Sequence, residues 1–158
     1  MTTNRLYFAQ HGLAVDKSEN PERPLSETGV KQTEAIAKYL SSIAGIAVNH
    51  IFHSGKLRSS QTAEIFAGTI KPSSTSVVDG LSPNDDVTLL AANLNFNHAL
   101  YVGHLPHLEK LVTYLVTGNE NGSIIKFQNS AVACLEKNDS HYQLGWYITP
   151  ELLKNIPT

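Results

Sequence analysis

Near its N-terminus the chain reads RLYFAQHG over residues 5–12, a run of large apolar side chains that ends in a polar pair and a glycine. An apolar run of this length, bounded by a turn residue, is typical of a buried strand, so we expect a strand over residues 5–9. Ligands of parallel sheets bind in the loops at the carboxyl ends of the strands. Gln10, His11 and Gly12, which follow this strand directly, are therefore candidate site residues.

The same alternation of short strand and helix continues along the chain. Further strands are predicted over residues 48–53, 76–81 and 99–103. Helices are predicted from an N-cap at Ser26 to Gly45, and over residues 57–68, 85–95 and 106–118. Two last strands, at residues 131–136 and 142–148, are expected to pair antiparallel. This order predicts an α/β fold with a mostly parallel sheet, helices on both faces and an antiparallel edge.

Two details of these helices can be checked against a structure. The spacing of apolar residues in the first helix places Ile36, Leu40 and Ile43 on its buried face. The helix that starts near residue 85 is expected to be capped by Asn84 or Asp85.

Composition limits what the protein can be. With 158 residues the chain has the size of one domain, which we take as residues 1–158. A formal net charge of −2 argues against a nucleic-acid partner bound through bulk charge. No apolar run approaches the ~20 residues that span a bilayer, and the N-terminus lacks a secretion-type apolar core. A single cysteine, Cys134, excludes an intramolecular disulfide and fits a reducing compartment, so we expect a cytoplasmic protein without membrane attachment.

Polar groups follow three of the predicted strands and should meet at one edge of the sheet. Besides His11 they include Ser54, Arg58 and His104. A neutral imidazole is a good nucleophile near neutral pH. An arginine, a second histidine and helix N-terminal amides can hold the spread negative charge of a phosphoryl group. Gly12 is expected to let the backbone approach that phosphate, because it has no Cβ.

The order of these motifs resembles the histidine phosphatase superfamily, formerly the phosphoglycerate mutase-like group. The motifs are a strand followed by xHG, the pattern SxxxRxxQT at residues 54–62, and a strand followed by GH at residues 103–104. The stretches RPLSETG at 23–29, LSP at 81–83 and GHLP at 103–106 are most similar to the SixA branch of phosphohistidine phosphatases. The resemblance implies a phosphoglycerate mutase-like fold, here without a cap domain and without a cofactor.

The resemblance also implies roles for individual residues. His11 would be the nucleophile that becomes phosphorylated, Arg58 would clamp the phosphate, and His104 would make a second contact to it. Arg23 would border the pocket with a lesser phosphate or substrate role. Gln10, Gly12 and Ser54 are placed with Arg23 among the phosphate- or substrate-binding residues.

The sequence departs from the family pattern at two positions. Gln10 stands where the family's Arg-His-Gly motif has arginine, and an amide replaces only part of a charge-assisted contact, so phosphate binding is expected to be weaker. Leu105 stands where acid-phosphatase relatives have an aspartate. Asp85 remains as either a general acid or a helix cap. Without a strong acid an alkyl phosphate ester is a poor substrate, whereas phosphohistidine leaves as imidazole.

Two functions from different classes follow. The first is a phosphatase that acts through phosphohistidine on His11, with a phosphorylated protein, such as a phosphotransfer domain, or a small phosphorylated molecule as its substrate. The second is a phosphate- or phosphoprotein-binding module in which Gln10 has weakened catalysis. A mutase is disfavoured because it needs a closed pocket, a glutamate acid and longer insertions.

A metal site is disfavoured because no cysteine or carboxylate spacing completes a ligand set with His104 and His107, and His50 and His53 point to opposite faces of a strand.

Overall fold

A six-stranded sheet organises residues 4–154, the part of the chain that the computed structural model describes. The strands are β1 (Asn4–Gln10), β2 (His50–His53), β3 (Ser74–Val77), β4 (Ala99–Gly103), β5 (Val132–Asn138) and β6 (His141–Ile148). They lie in the order β3-β2-β4-β1-β5-β6. The first four in this order are parallel, and β5 is antiparallel to both β1 and β6. The predicted mostly parallel sheet with an antiparallel edge is confirmed.

Helices cover both faces of this sheet. They are α1 (Glu27–Lys38), α2 (Leu57–Ile70), α3 (Val87–Ala91), α4 (His107–Thr117) and α5 (Pro150–Leu153). Side chains of β1 alternate between the two faces: Leu6 and Phe8 pack in the cluster that includes α3 and α4, and Tyr7 and Ala9 pack in the cluster that includes α1 and α2. Since a buried large apolar side chain contributes about 2 kcal/mol, these two layers supply the main stabilisation of the fold.

The first helix begins as predicted and ends differently. Ser26 caps α1, because its hydroxyl accepts a hydrogen bond from the Gly29 amide at 3.0 Å. After Lys38 the chain continues as a π-helical turn over Tyr39–Ile43. The wider turn changes the angular position of each following side chain. The prediction that Ile43 is buried is therefore wrong, and this side chain is 63% exposed.

The segment between β2 and β4 also differs from the prediction. The strand expected over residues 76–81 is shifted towards the N-terminus and ends at Val77, and the helix expected over residues 85–95 is only five residues long. Asp86 caps this helix by accepting from the Thr88 amide at 2.9 Å. Asp85 instead accepts from the Ser82 amide at 2.9 Å within the preceding turn. Neither Asn84 nor Asp85 is the helix cap.

The antiparallel edge contains an irregularity. The pairing of β5 with β6 shifts register between Cys134 and Leu135, where Trp146 and Leu144 are the partners. Gly145 is the extra residue of this β-bulge. Cys134 is buried and free, and burial raises the pKa of its thiol to about 11.

Two negative observations apply to residues 4–154. No insertion there rises over the carboxyl edge of the parallel strands as a cap. No helix in the same range is long and apolar enough to cross a membrane.

Candidate active site

The carboxyl ends of β1, β2 and β4 lie side by side and bring two imidazoles together. Gln10 pairs with Gly103, and His53 pairs with Val102. Just beyond these pairs the His11 amide donates to the Gly103 carbonyl at 3.0 Å. The ring centroids of His11 and His104 are 5.0 Å apart, with the ring planes tilted by 51°. Residues that are 93 positions apart in sequence thus face one another across a single cleft.

The His11 ring is held in one orientation and one tautomer. Its Nδ1 lies 2.7 Å from the Gly12 carbonyl oxygen. Because a carbonyl oxygen only accepts, Nδ1 carries the proton and donates, which leaves Nε2 with its lone pair. Burial lowers the pKa of His11 to about 4, and the positive charge of Arg58 acts in the same direction. Near neutral pH this side chain is an uncharged imidazole with a free Nε2, which is the form a nucleophile requires.

His104 is almost completely buried and is paired with a hydroxyl. Its Nε2 lies 2.6 Å from Ser54 Oγ, and its exposed fraction is 1%. Burial lowers the pKa of His104 to about 3, and a proton on His11, followed by the charges of Arg58 and Lys56, acts in the same direction. Both imidazoles are therefore neutral in the unliganded protein.

Arg58 stands in the first turn of α2 at the same edge. Its backbone carbonyl accepts from the Thr62 hydroxyl at 2.7 Å, and its charge acts on both histidines. No residue in the described part of the chain accepts a hydrogen bond from its buried Nε. The guanidinium is thus not committed to an ion pair and is available for an anion.

Arg23 reaches the site from the loop before α1. Its charge lowers the pKa of both His11 and Arg58. Its Nε donates to the Val15 carbonyl at 3.2 Å, and its φ of 51° lies in the left-handed region. The loop is fixed to α2 because the Leu25 amide donates to Gln61 Oε1 at 2.7 Å. Arg23 therefore lies in the electrostatic neighbourhood of the site and is held in place from two sides.

Gly12 has a different use from the one expected. Its amide donates to Thr62 Oγ1 at 2.8 Å, and its carbonyl accepts from His11, so neither group is left for a phosphate. A Cβ at this position would lie 2.8 Å from Thr33 Oγ1. The glycine is needed for close packing next to His11, which corrects the expectation that it brings backbone to a phosphate.

Gln10 ends β1 with only 8% of its surface exposed. It follows Phe8 by two residues and so lies on the face that α4 covers. Its side-chain oxygen Oε1 is buried, and no donor among residues 4–154 reaches it. The amide oxygen is thus buried next to His11 in sequence and has no hydrogen-bond donor among residues 4–154.

Asp85, the open candidate for a general acid, is used in a turn. It is exposed and accepts from the Ser82 amide, and no carboxylate within residues 4–154 forms a hydrogen bond or a salt bridge with His11 or His104. In the same range no three His, Cys, Asp or Glu side chains come together as a metal site. His50 instead bonds Ser74 Oγ through Nδ1, at 2.7 Å.

Two contacts in and next to the His11 segment were not predicted from the sequence. Asn129, in the loop before β5, donates from Nδ2 to the His11 carbonyl at 3.0 Å. Gly29, at the start of α1, lies so close to Leu13 that an added Cβ would be 2.1 Å from the Leu13 carbonyl oxygen. Both contacts join segments that are apart in sequence, so local patterns do not predict them. The one local signal is the glycine in RPLSETG.

Comparison with known proteins agrees with this geometry. Residues 6–82 match the model of the histidine phosphatase superfamily (branch 1). An uncharacterized protein of Picosynechococcus sp. is 29% identical over 147 residues, which cover 87% of this chain and 88% of that protein. The structure of the protein histidine phosphatase SixA complexed with tungstate superposes with a TM-score of 0.83 at 26% identity, covering 95% of this chain and 99% of the other.

More distant structures share the fold alone. The alpha-ribazole phosphatase from Shigella flexneri has a TM-score of 0.77 at 12% identity, covering 92% of this chain and 96% of the other. Taken together, the matching family model, the SixA likeness and the paired imidazoles lead to one conclusion: the chain belongs to the histidine phosphatase superfamily.

Proposed function

We propose that this protein is a phosphatase that forms a covalent phosphohistidine on His11, and that its substrate is phosphohistidine carried by another protein. The observation that carries the proposal is the hydrogen bond from His11 Nδ1 to the Gly12 carbonyl. It leaves Nε2 as the free ring nitrogen, and the lowered pKa of His11 keeps that nitrogen unprotonated.

The positive groups around the rings suit the transferring phosphoryl group. Its negative charge would lie between Arg58 and His104, with Arg23 adding a longer-range attraction. In the first step Nε2 of His11 forms a bond to phosphorus, and the leaving nitrogen takes the electron pair of the bond that breaks. In the second step water takes the phosphoryl group and releases inorganic phosphate.

Two features favour a phosphohistidine substrate. The first is the lack of a carboxylic acid in contact with the rings: in residues 4–154 no carboxylate forms a hydrogen bond or a salt bridge with either of them. An alkoxide leaving group needs a proton from such an acid. A phosphohistidine whose second ring nitrogen carries a proton leaves as neutral imidazole without one. The second is the uncapped edge, which suits a side chain presented by a macromolecule. The similarity to SixA, which is described as a protein histidine phosphatase, supports the same assignment.

The test uses a phosphotransfer domain phosphorylated on histidine. We expect the wild-type protein to release phosphate from it and to carry acid-labile, alkali-stable phosphate when quenched early in the reaction. The His11→Asn variant should lose both signals. The His141→Asn variant, which changes an exposed histidine, should keep them. Phosphate release by His11→Asn at the wild-type rate would contradict the proposal.

A second candidate function rests on Gln10. Its amide is buried, with Oε1 unpaired among the described residues, and it offers no positive charge to an anion. A protein that binds phosphorylated partners with little turnover would fit this feature. Gln10→Arg separates the two functions: a large gain from an inactive wild type supports the binding module, and measurable wild-type turnover supports the phosphatase.

A further inference from the structure

Hydrolysis of a phosphohistidine needs a group that takes the proton of the attacking water. Carboxylates often do this in enzymes. Within residues 4–154, however, neither His11 nor His104 forms a hydrogen bond or a salt bridge with a carboxylate. The proton acceptor must therefore be sought among the neutral polar groups that line the cleft.

Ser54 is the neutral group with the most suitable hydrogen bonds. Its Oγ lies 2.6 Å from His104 Nε2 and also accepts from the Lys56 amide at 3.3 Å. A hydroxyl has one proton and two lone pairs. With one lone pair facing Lys56 and the proton directed to His104, the second lone pair remains free to accept from a water molecule.

The loop that carries Ser54 is fixed at the site. The Ser54 amide donates to Ser59 Oγ at 3.2 Å, and Ser59 in turn donates to the Val102 carbonyl of β4 at 2.8 Å. This chain of hydrogen bonds ties the end of β2 to the neighbouring strand that leads into His104. The distance between Ser54 and His104 is therefore held by the fold rather than by one side-chain contact.

His104 is in the state needed to receive a proton. It is neutral because burial and nearby positive charges hold its pKa at about 3. A phosphoryl group on His11 brings negative charge next to this ring, since the two ring centroids are 5.0 Å apart. That charge favours the protonated form of His104 and makes it a better base during hydrolysis than in the free protein.

We propose that Ser54 is a catalytic residue of the second step, which relays the proton of the attacking water to His104. The inference rests on the proposed phosphatase function. The water oxygen forms a bond to phosphorus while the bond between phosphorus and His11 Nε2 breaks, and its electron pair returns to Nε2. The water proton moves to Ser54 Oγ as the hydroxyl proton of Ser54 moves to His104 Nε2. Inorganic phosphate leaves, and His104 later returns the proton to solvent.

The experiment measures the two steps separately by rapid quenching of the full-length protein with a phosphohistidine-bearing phosphotransfer domain. For Ser54→Ala we expect formation of phosphorylated His11 within about threefold of wild type and decay about 100-fold slower, as for loss of a general base. Ser54→Thr keeps the hydroxyl and should restore most of the decay rate. The control is Ser60→Ala, which removes a hydroxyl that donates to the Leu57 carbonyl and should change neither step.

The outcomes are distinct. Unchanged decay in Ser54→Ala would overturn the relay, and so would equal slowing of both steps, because a merely structural role affects formation as well. A phosphorylated His11 that never forms in wild type would refute the proposed function itself. If Ser54→Ala does not fold, decay of the wild-type intermediate is measured in heavy water, and the absence of a normal solvent isotope effect overturns the relay.

Discussion

Two buried neutral imidazoles make the folded chain sensitive to acid. The folded-state pKa values of His11 and His104 are about 4 and about 3, against an ordinary value of 6.5. Below pH 6.5 the unfolded chain binds protons at these positions, whereas the folded chain does not. The contribution of these two histidines to the free energy of unfolding is therefore fully present above pH 6.5. It is lost as the pH falls from 6.5 towards their folded-state pKa values.

The expected loss is large enough to measure. At pH 5 the lowered pKa of His11 reduces the free energy of unfolding by about 2 kcal/mol, because a histidine in the unfolded chain is mostly protonated at this pH and His11 in the folded chain is not. His104 adds a similar amount, so the pair costs at most about 4 kcal/mol. A domain of ordinary stability has only about 5–15 kcal/mol in total.

Urea unfolding at pH 7.5, 6 and 5 measures this loss of stability. The signal is the fluorescence of Trp146, the only tryptophan in the sequence, whose ring packs against Tyr7 with centroids 5.9 Å apart. His53 and His107 also have lowered pKa values and add to the wild-type slope, so the comparison is made between variants. His11→Asn should lose about 2 kcal/mol less between pH 7.5 and pH 5 than wild type does.

The matched control is His141→Asn, which changes an exposed histidine and should keep the wild-type pH dependence. If His11→Asn loses as much stability on acidification as wild type, the reasoning about the buried imidazole is refuted.

Two further predictions concern the anion site and the packing beneath it. Arg58→Gln should weaken the binding of inorganic phosphate about 10- to 100-fold by loss of a charge-assisted contact, whereas Lys56→Gln, at an exposed lysine, should change it less than about threefold. Equal effects of the two substitutions in a calorimetric titration would contradict the role of Arg58. Gly29→Ala should destabilise the protein by about 3 kcal/mol or more, since its Cβ would overlap a backbone carbonyl. Gly68→Ala, where a Cβ on α2 would meet nothing, should stabilise the protein by about 1 kcal/mol. A lower melting temperature for Gly68→Ala than for Gly29→Ala would show that the packing argument is wrong.

The sequence was most informative where local patterns act alone. The apolar run of β1 and the Ser26 cap depend on neighbouring residues, and the structure confirms both. Which side chains are buried after Lys38 was not predictable, because the π-helical turn there interrupts the regular helical spacing of apolar residues. In the same way, Asp86 displaced Asp85 as a cap because Asp85 is used by the turn before it.

The candidate site shows the same division. Strand order places His11 and His104 at one edge, and this follows from the topology rule for parallel sheets. The partners that hold His11 in place come from different segments of the chain: Thr62 acts through Gly12, and Asn129 bonds the His11 carbonyl directly. Their roles depend on distances of about 3 Å between groups far apart in sequence, which no local spacing encodes.

The bulge at Gly145 has a consequence for contacts between molecules. Outer strands with unpaired backbone groups can recruit a second molecule by strand addition. Here one outer strand, β3, is only four residues long, and the other, β6, is interrupted by the bulge, so neither offers a long regular ladder. Pairing of two molecules through a continuous sheet across these edges is therefore disfavoured.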